Sequence, residues 1–178
     1  TSWDRNKAFY QHPELLGNFM DNHDMTRFTR DILINREDPI VRWKLALTYL
    51  YTAPGIPILY YGSEIALDGA EDPGNRRMME FDGDQTLTKY LSKLGVLRNK
   101  YPSLTRGDLE VLHDESGMAV YKRTYKDETI VVAINNTTDQ QTVSLDEKDL
   151  PLDMELKGLL ADGSVKESKG KYSLTIDS

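Results

Sequence analysis

Residues 15–24 read Leu-Leu-Gly-Asn-Phe-Met-Asp-Asn-His-Asp. The short apolar run Leu15–Met20 stops abruptly in an amide, an imidazole and a carboxylate: Asn22, His23 and Asp24. A run of this length bounded by polar residues reads as a buried strand. Three polar groups at the end of a strand are a poor way to build a core. They hydrogen-bond polyhydroxylated ligands well, and a carboxylate there can steady developing positive charge. In isolation the triplet reads as a turn, since Asn and Asp populate turns freely. Its surroundings decide between the two.

Outward from the triplet, a polar loop runs through Arg36. Asp38-Pro39 then has the form of a helix N-cap followed by proline in the first turn. Ile40 to Ala53 is apolar over most of its circumference, which describes a helix buried on more than one side. Pro54-Gly55 ends it. Ile56–Tyr61, IPILYY, is a continuous apolar run closed by Gly62, as expected of a strand covered on both faces. Pro57 has no N–H to give a ladder and is tolerated near the strand's start. Ser63–Gln85 is a polar loop long enough for a binding loop. Leu87, Leu91, Leu94 and Leu97 recur at helical spacing up to Tyr101-Pro102. The order strand, loop, helix, strand, loop, helix implies parallel strands with crossover helices.

From Ser103 the pattern changes. Leu109–His113, Met118–Tyr125, Thr129–Asn135 and Gln141–Leu145 are strand-like, with turns at Asp114–Gly117 and Lys126-Asp127. Met154–Leu160, Asp162-Gly163 and Tyr172–Ile176 add a further hairpin. Regular short strands with turns between them point to an antiparallel β-sandwich. The chain therefore divides into 1–102 and 103–178, with no internal repeat and no low-complexity segment.

The composition narrows the partners. Apolar residues are 39% of the chain, and 22 basic against 29 acidic residues give a net charge of −7. An acidic chain without a basic cluster is a poor ligand for nucleic acid or anionic lipid. No cysteine is present, which excludes disulfides, thiolate catalysis and cysteine zinc sites. No stretch approaches the ~20 apolar residues of a membrane span, and the residues at Thr1 lack a signal-peptide pattern.

Two segments carry a family resemblance. Gly17–Phe28, GNFMDNHDMTRF, resembles the last signature region of the α-amylase family of glycoside hydrolases, family 13. Ala53–Phe81, APGIPILYYGSEIALDGAEDPGNRRMMEF, resembles that family's eighth barrel strand and the loop after it. The likeness is greatest to the bacterial α-amylases, cyclomaltodextrinases and glucanotransferases. It implies an α/β plus all-β fold: the last two β/α units of a (β/α)8 TIM barrel, strands 7 and 8 with their helices (1–102), then an antiparallel β-sandwich lacking its last strand (103–178). It implies retaining chemistry at α-1,4-glucosidic bonds of starch or maltodextrins. That chemistry uses a nucleophile and a general acid about 5 Å apart, to which this family adds a third carboxylate. Asp24 matches the third carboxylate, His23 a histidine on the same glucose unit, and Asn22 belongs to the motif. Asp72 and Arg76 match positions that contact glucose further along the chain. The nucleophile and acid lie upstream in the family, so this chain reads as a C-terminal fragment, inactive alone. No cofactor is expected in this chain; calcium is left to the parent enzyme. The implied partner is an α-glucan or maltooligosaccharide, with self-association through the open barrel edge. A secreted or cell-surface bacterial location is expected, the cytoplasm being the alternative.

Other readings stand beside these. Asp72 and Arg76 could form a simple ion pair. Tyr60 and Tyr61 could stack on sugar or pack in a strand. Glu64 reads as structural support, His12 and His113 as structural. Asn135-Asn136-Thr137 fits a glycosylation acceptor and is read as a strand end. A non-catalytic maltodextrin-binding module would need exposed aromatics, and the β portion has only Tyr121, Tyr125 and Tyr172.

Overall fold

A computed structural model of the protein describes residues 2–146, 149–150, 157–160, 164–168 and 171–176. Strand β1 (Gly17–Asn18) pairs in parallel with β2 (Ile56–Pro57), Gly17 opposite Ile56 and Asn18 opposite Pro57. Ile56 N–H donates to the Leu16 carbonyl and Ile58 N–H to the Asn18 carbonyl, each at 2.8 Å. Donors alternate in direction along a strand, so the missing N–H of Pro57 falls on the side facing away from β1. Both strands are shorter than the runs 15–20 and 56–61. Each has one sheet partner among the described residues, so the ladder fixes only two residues. Leu15, Phe19, Ile56 and Ile58 are exposed rather than covered on both faces. One parallel pair does not by itself close a barrel.

Two helices cross between the strands. Helix α2 (Phe28–Ile34) occupies part of the stretch read above as a polar loop. Its apolar contacts come from Phe28 and Ile32, one turn apart, too short a period to separate from loop by pattern. The Phe28 ring meets Trp43 edge-on at 4.9 Å, and the Asp21 carboxylate accepts the Phe28 N–H at 3.1 Å. Helix α3 (Pro39–Thr52) starts as expected: Asp38 Oδ1 accepts from Ile40 N and Val41 N at 2.8 and 3.1 Å. Trp43, Leu47 and Leu50 of α3 pack with Ile32 and with Leu87, Leu91 and Leu94 of the helix at Thr86–Lys100. Val41 and Tyr49 lie exposed, so α3 is buried on fewer sides than its apolar circumference implies. Among the described residues the α-helices are, in chain order, α1 (Ser2–Phe9), α2, α3, α4 (Thr86–Lys100) and α5 (Pro102–Arg106). Neither α1 nor α5 has a periodic signal long enough to read from sequence.

The remainder forms two three-stranded antiparallel sheets. One has order β3-β4-β5, from β3 (Asp108–Glu115), β4 (Met118–Tyr125) and β5 (Glu128–Asn135). The other has order β6-β8-β7, from β6 (Gln141–Asp146), β7 (Ser164–Ser168) and β8 (Lys171–Ile176). Met118 and Val120, Val143 and Leu145, and Tyr172 and Leu174 close one core between them, the layered packing of a sandwich. Among the described residues β8 pairs with β6 and β7. The hairpin expected between Met154–Leu160 and Tyr172–Ile176 is not formed by residues 157–160, which have no strand structure. Met154 and the turn Asp162-Gly163 lie outside the described residues.

Strand β4 belongs to both layers. Its Met118 and Val120 face the sandwich core, while Tyr121 and Arg123 are buried on its other side, in contact with α3. The Arg123 guanidinium donates to the Thr52 carbonyl and, at 2.8 Å, to that of Gly107. Burial, then the nearby Arg98, holds its pKa down to about 10. Arg98 donates to the carbonyls of Tyr51, Ala53 and Gly55, and Asn18 Nδ2 to that of Pro54 at 2.7 Å. Five successive carbonyls, the last two of α3 and the three of the turn after it, thus find side-chain donors. Gly55 sits at φ +104, where a Cβ would lie 2.4 Å from Asn18 Nδ2 and 2.7 Å from the Leu16 carbonyl oxygen. Only glycine fits that turn without strain.

Candidate functional site

Past the end of β1 the chain runs through Phe19, Met20 and Asp21 into the triplet, and the loop after β2 folds back over it. Asn22 Oδ1 accepts the Asp24 N–H at 2.8 Å, an Asx turn that sets the direction of the Asp24 side chain. His23 Nε2 lies 3.2 Å from Asp24 Oδ1. Arg76 donates through Nη2 to Asp24 Oδ1 at 3.4 Å, and its Nε lies 3.4 Å from Asp72 Oδ1 and 3.0 Å from the His23 carbonyl oxygen. All five residues singled out from the sequence therefore meet in one place. His23, Asp24, Asp72, Asn75 and Arg76, with Met25, Thr26 and Glu71, line a cavity of about 150 Å³. The side chains of Asp24, His23, Asp72 and Arg76 are between 47 and 69% exposed. Asp72 and Arg76 do form an ion pair, and its partners face the cavity as well.

The groups that hold this arrangement are buried and were not among the candidate residues. Asn75, 1% exposed, donates through Nδ2 to the carbonyls of His23 and Met25 at 2.9 and 3.0 Å. Its own carbonyl accepts Arg27 Nε at 2.9 Å, and Arg27 Nη1 donates to the Tyr61 carbonyl at 2.6 Å. Arg27 is fully buried, with Tyr60 and Tyr61 over its guanidinium at 4.0 and 4.7 Å to the ring centroids. Both tyrosines are outside regular strand, and cation–π packing on Arg27 is their evident role. Burial, and then the neighbouring Tyr61, raises the Tyr60 pKa. Asp21 Oδ1 accepts the Ser63 hydroxyl at 2.8 Å, tying the two loops at their base. Arg27 and Asn75 lie inside the two quoted motifs, but residue type does not reveal which motif residues point inward.

Several other readings find their place. The Glu64 main-chain carbonyl accepts Thr88 Oγ1 at 3.0 Å, and Glu64 is not part of the cavity wall. His12 lies 3.2 Å from Glu14 Oε1. No group of three or more His, Cys, Asp or Glu is placed to hold a metal among the described residues. Asn135 ends β5 nearly fully buried, bonded to the Asp139 carbonyl and to Thr137, which is the strand-end role. No helix among the described residues is long and apolar enough to cross a membrane.

Known proteins resemble this chain. Residues 107–178 match the family model of the α-amylase C-terminal domain, the class of β-rich domain that the two antiparallel sheets define. The whole chain resembles a crystal structure of the α-amylase from Geobacillus thermoleovorans complexed with acarbose. That match has 53% identity and a TM-score of 0.95, and covers 99% of this chain and 40% of that one. An Anoxybacillus α-amylase structure is 56% identical with a TM-score of 0.91, over 98% of this chain and 38% of that one. The β/α-amylase of Paenibacillus polymyxa is 31% identical over 172 residues, 94% of this chain and 14% of the relative. Over nearly its whole length the chain is similar to members of the α-amylase family of glycoside hydrolases. It spans well under half the length of each of these relatives.

Proposed function

We propose that this chain is the C-terminal part of a retaining α-amylase-type enzyme that acts on α-1,4-glucosidic bonds of starch or maltodextrins. In this reading residues 1–102 supply the last two β/α units of its barrel and residues 103–178 its C-terminal β domain. The observation that carries it is the meeting of His23 and Asp24, the latter held by Asn22, with Asp72 and Arg76 around one cavity beyond the C-terminal end of a parallel strand pair. Loops at that end are where barrel enzymes place their chemistry.

The roles follow from charge and reach. As the bond from the anomeric carbon to the glycosidic oxygen breaks, positive charge grows on the sugar ring. Asp24 is the carboxylate that steadies it, and His23 and Arg76 orient that carboxylate and donate to sugar hydroxyls. Asn22 fixes the Asp24 main chain, and Asp72 with Arg76 holds a glucose unit further from the cleaved bond. The nucleophile and the proton donor come from the rest of the enzyme, so this chain alone turns over neither starch nor maltodextrin.

A maltodextrin-binding module is the weaker reading, since Tyr121 and Tyr172 are buried and leave only Tyr125 partly accessible for stacking among the described residues of the sheets. Steady-state kinetics of the full-length enzyme on maltoheptaose test the assignment. Asp24→Ala should lower kcat about 10³-fold, with KM much less affected, because the lost group acts mainly in the transition state. An unchanged kcat, or hydrolysis by the isolated 178-residue chain, would overturn it.

A further inference from the structure

Asn75 lies in the cavity wall, nearly fully buried, and joins the two loops that form it. Its amide nitrogen donates to the carbonyls of His23 and Met25, the residues on either side of Asp24. Its main-chain carbonyl is in turn fixed by the buried Arg27 guanidinium, which reaches the Tyr61 carbonyl with another nitrogen. The Arg27 N–H donates to the Gly69 carbonyl at 3.0 Å, so the start of the same loop is tied to the same residue. Gly69 also packs against this bracket: a Cβ there would lie 2.5 Å from the Gly74 carbonyl oxygen and 2.9 Å from Asn75 Cα.

We propose that Asn75 is the positioning residue for Asp24, coupling the 72–76 loop to the catalytic carboxylate through the main chain of the His23–Met25 turn. The inference rests on the function proposed above. Asp24 itself is largely exposed, and its contacts with His23 and Arg76 are long. Exposed polar contacts of this kind hold geometry weakly. The two hydrogen bonds from Asn75 have ordinary lengths and come from a nearly fully buried side chain, so they define where the Asp24 backbone sits. A displacement of about 1 Å at a reacting carboxylate costs on the order of 100-fold in rate. The loop that holds the outer glucose therefore also sets the strength of the transition-state contact.

The test uses the full-length enzyme and maltoheptaose, with Asn75→Ala, Asp24→Ala and the double variant. Asn75→Ala should lower kcat roughly 30- to 100-fold with KM within about threefold. In the Asp24→Ala background the same change should lower kcat less than threefold, because the group it positions is gone. If Asn75→Ala leaves kcat unchanged, or lowers it by the same factor in both backgrounds, Asn75 does not act through Asp24 and the proposal falls. If Asp24→Ala leaves kcat unchanged, the functional reading falls instead. Should Asn75→Ala not fold, the near-isosteric Asn75→Asp, which loses both donated bonds, is read by the same two ratios.

Discussion

The two ends of the parallel βαβ unit are built on opposite plans. At the C-terminal end of its strands, Asp24, His23, Asp72 and Arg76 stand half in water, joined by polar contacts of 3.2 to 3.4 Å. At the other end, where α3 stops and β2 begins, the carbonyls of residues 51–55 are gripped by Arg98, Arg123 and Asn18, with Arg123 fully buried. Both ends use arginine. One spends its charge where a ligand can reach it, and the other satisfies backbone that would otherwise be buried without partners. Substitutions at the first should change chemistry and leave the fold intact, while at the second they should change stability and leave the site intact.

The largest stability effect is expected from Arg123→Met. It strips donors from the buried carbonyls of Thr52 and Gly107 and should lower unfolding free energy by about 3 kcal/mol. A urea midpoint near the wild-type value would break the contrast. At the other end, Arg76→Leu should shift stability by less than about 0.5 kcal/mol, since exposed pairs contribute little. In the full-length enzyme it should raise KM for maltoheptaose roughly tenfold, the equivalent of one charged hydrogen bond. A fall in the thermal midpoint as large as that of Arg123→Met would erase the distinction.

The smallest effect lies at the seam between α1 and the β sheets. Trp3 Nε1 donates to Asp108 at 2.7 Å and Lys7 Nζ at 3.3 Å. Burial tends to raise the Asp108 pKa, but the bonds from Trp3, the Leu109 N–H and Lys7 outweigh it and leave the group below its ordinary 3.8. A carboxylate depressed on folding contributes stability that is present above pH 3.8 and fades as pH falls below it. Amide signals of α1 should therefore shift below that pH in the wild-type chain, and Asp108→Asn should abolish that dependence. A wild-type titration unaltered by Asp108→Asn would place the linkage elsewhere.

Much of this was legible in residue order. Asp38-Pro39, the Leu87–Leu97 spacing and the alternation of Met118–Tyr125 each carry a periodicity or capping signal long enough to outweigh chance, and each element formed where it pointed. Helices α2 and α5, at seven and five residues, are too short for a period to declare itself. They exist because Ile32 and Leu104 have a core to enter. The apolar runs around β1 and β2 overstated the strands, because a ladder extends only as far as its partner does.

By itself the sequence determined which residues were candidates: Asn22, His23 and Asp24 by their polar chemistry after an apolar run, and Asp72 and Arg76 by the resemblance of their segment to the α-amylase family. Only the tertiary structure decided that they converge, and by what means. The bracket of Arg27 and Asn75 and the collar of Arg98 and Arg123 join residues 16 to 71 positions apart, through main-chain carbonyls that every residue type carries alike. A side chain's identity is written in the sequence; which backbone oxygen it will find is fixed only when the chain has folded.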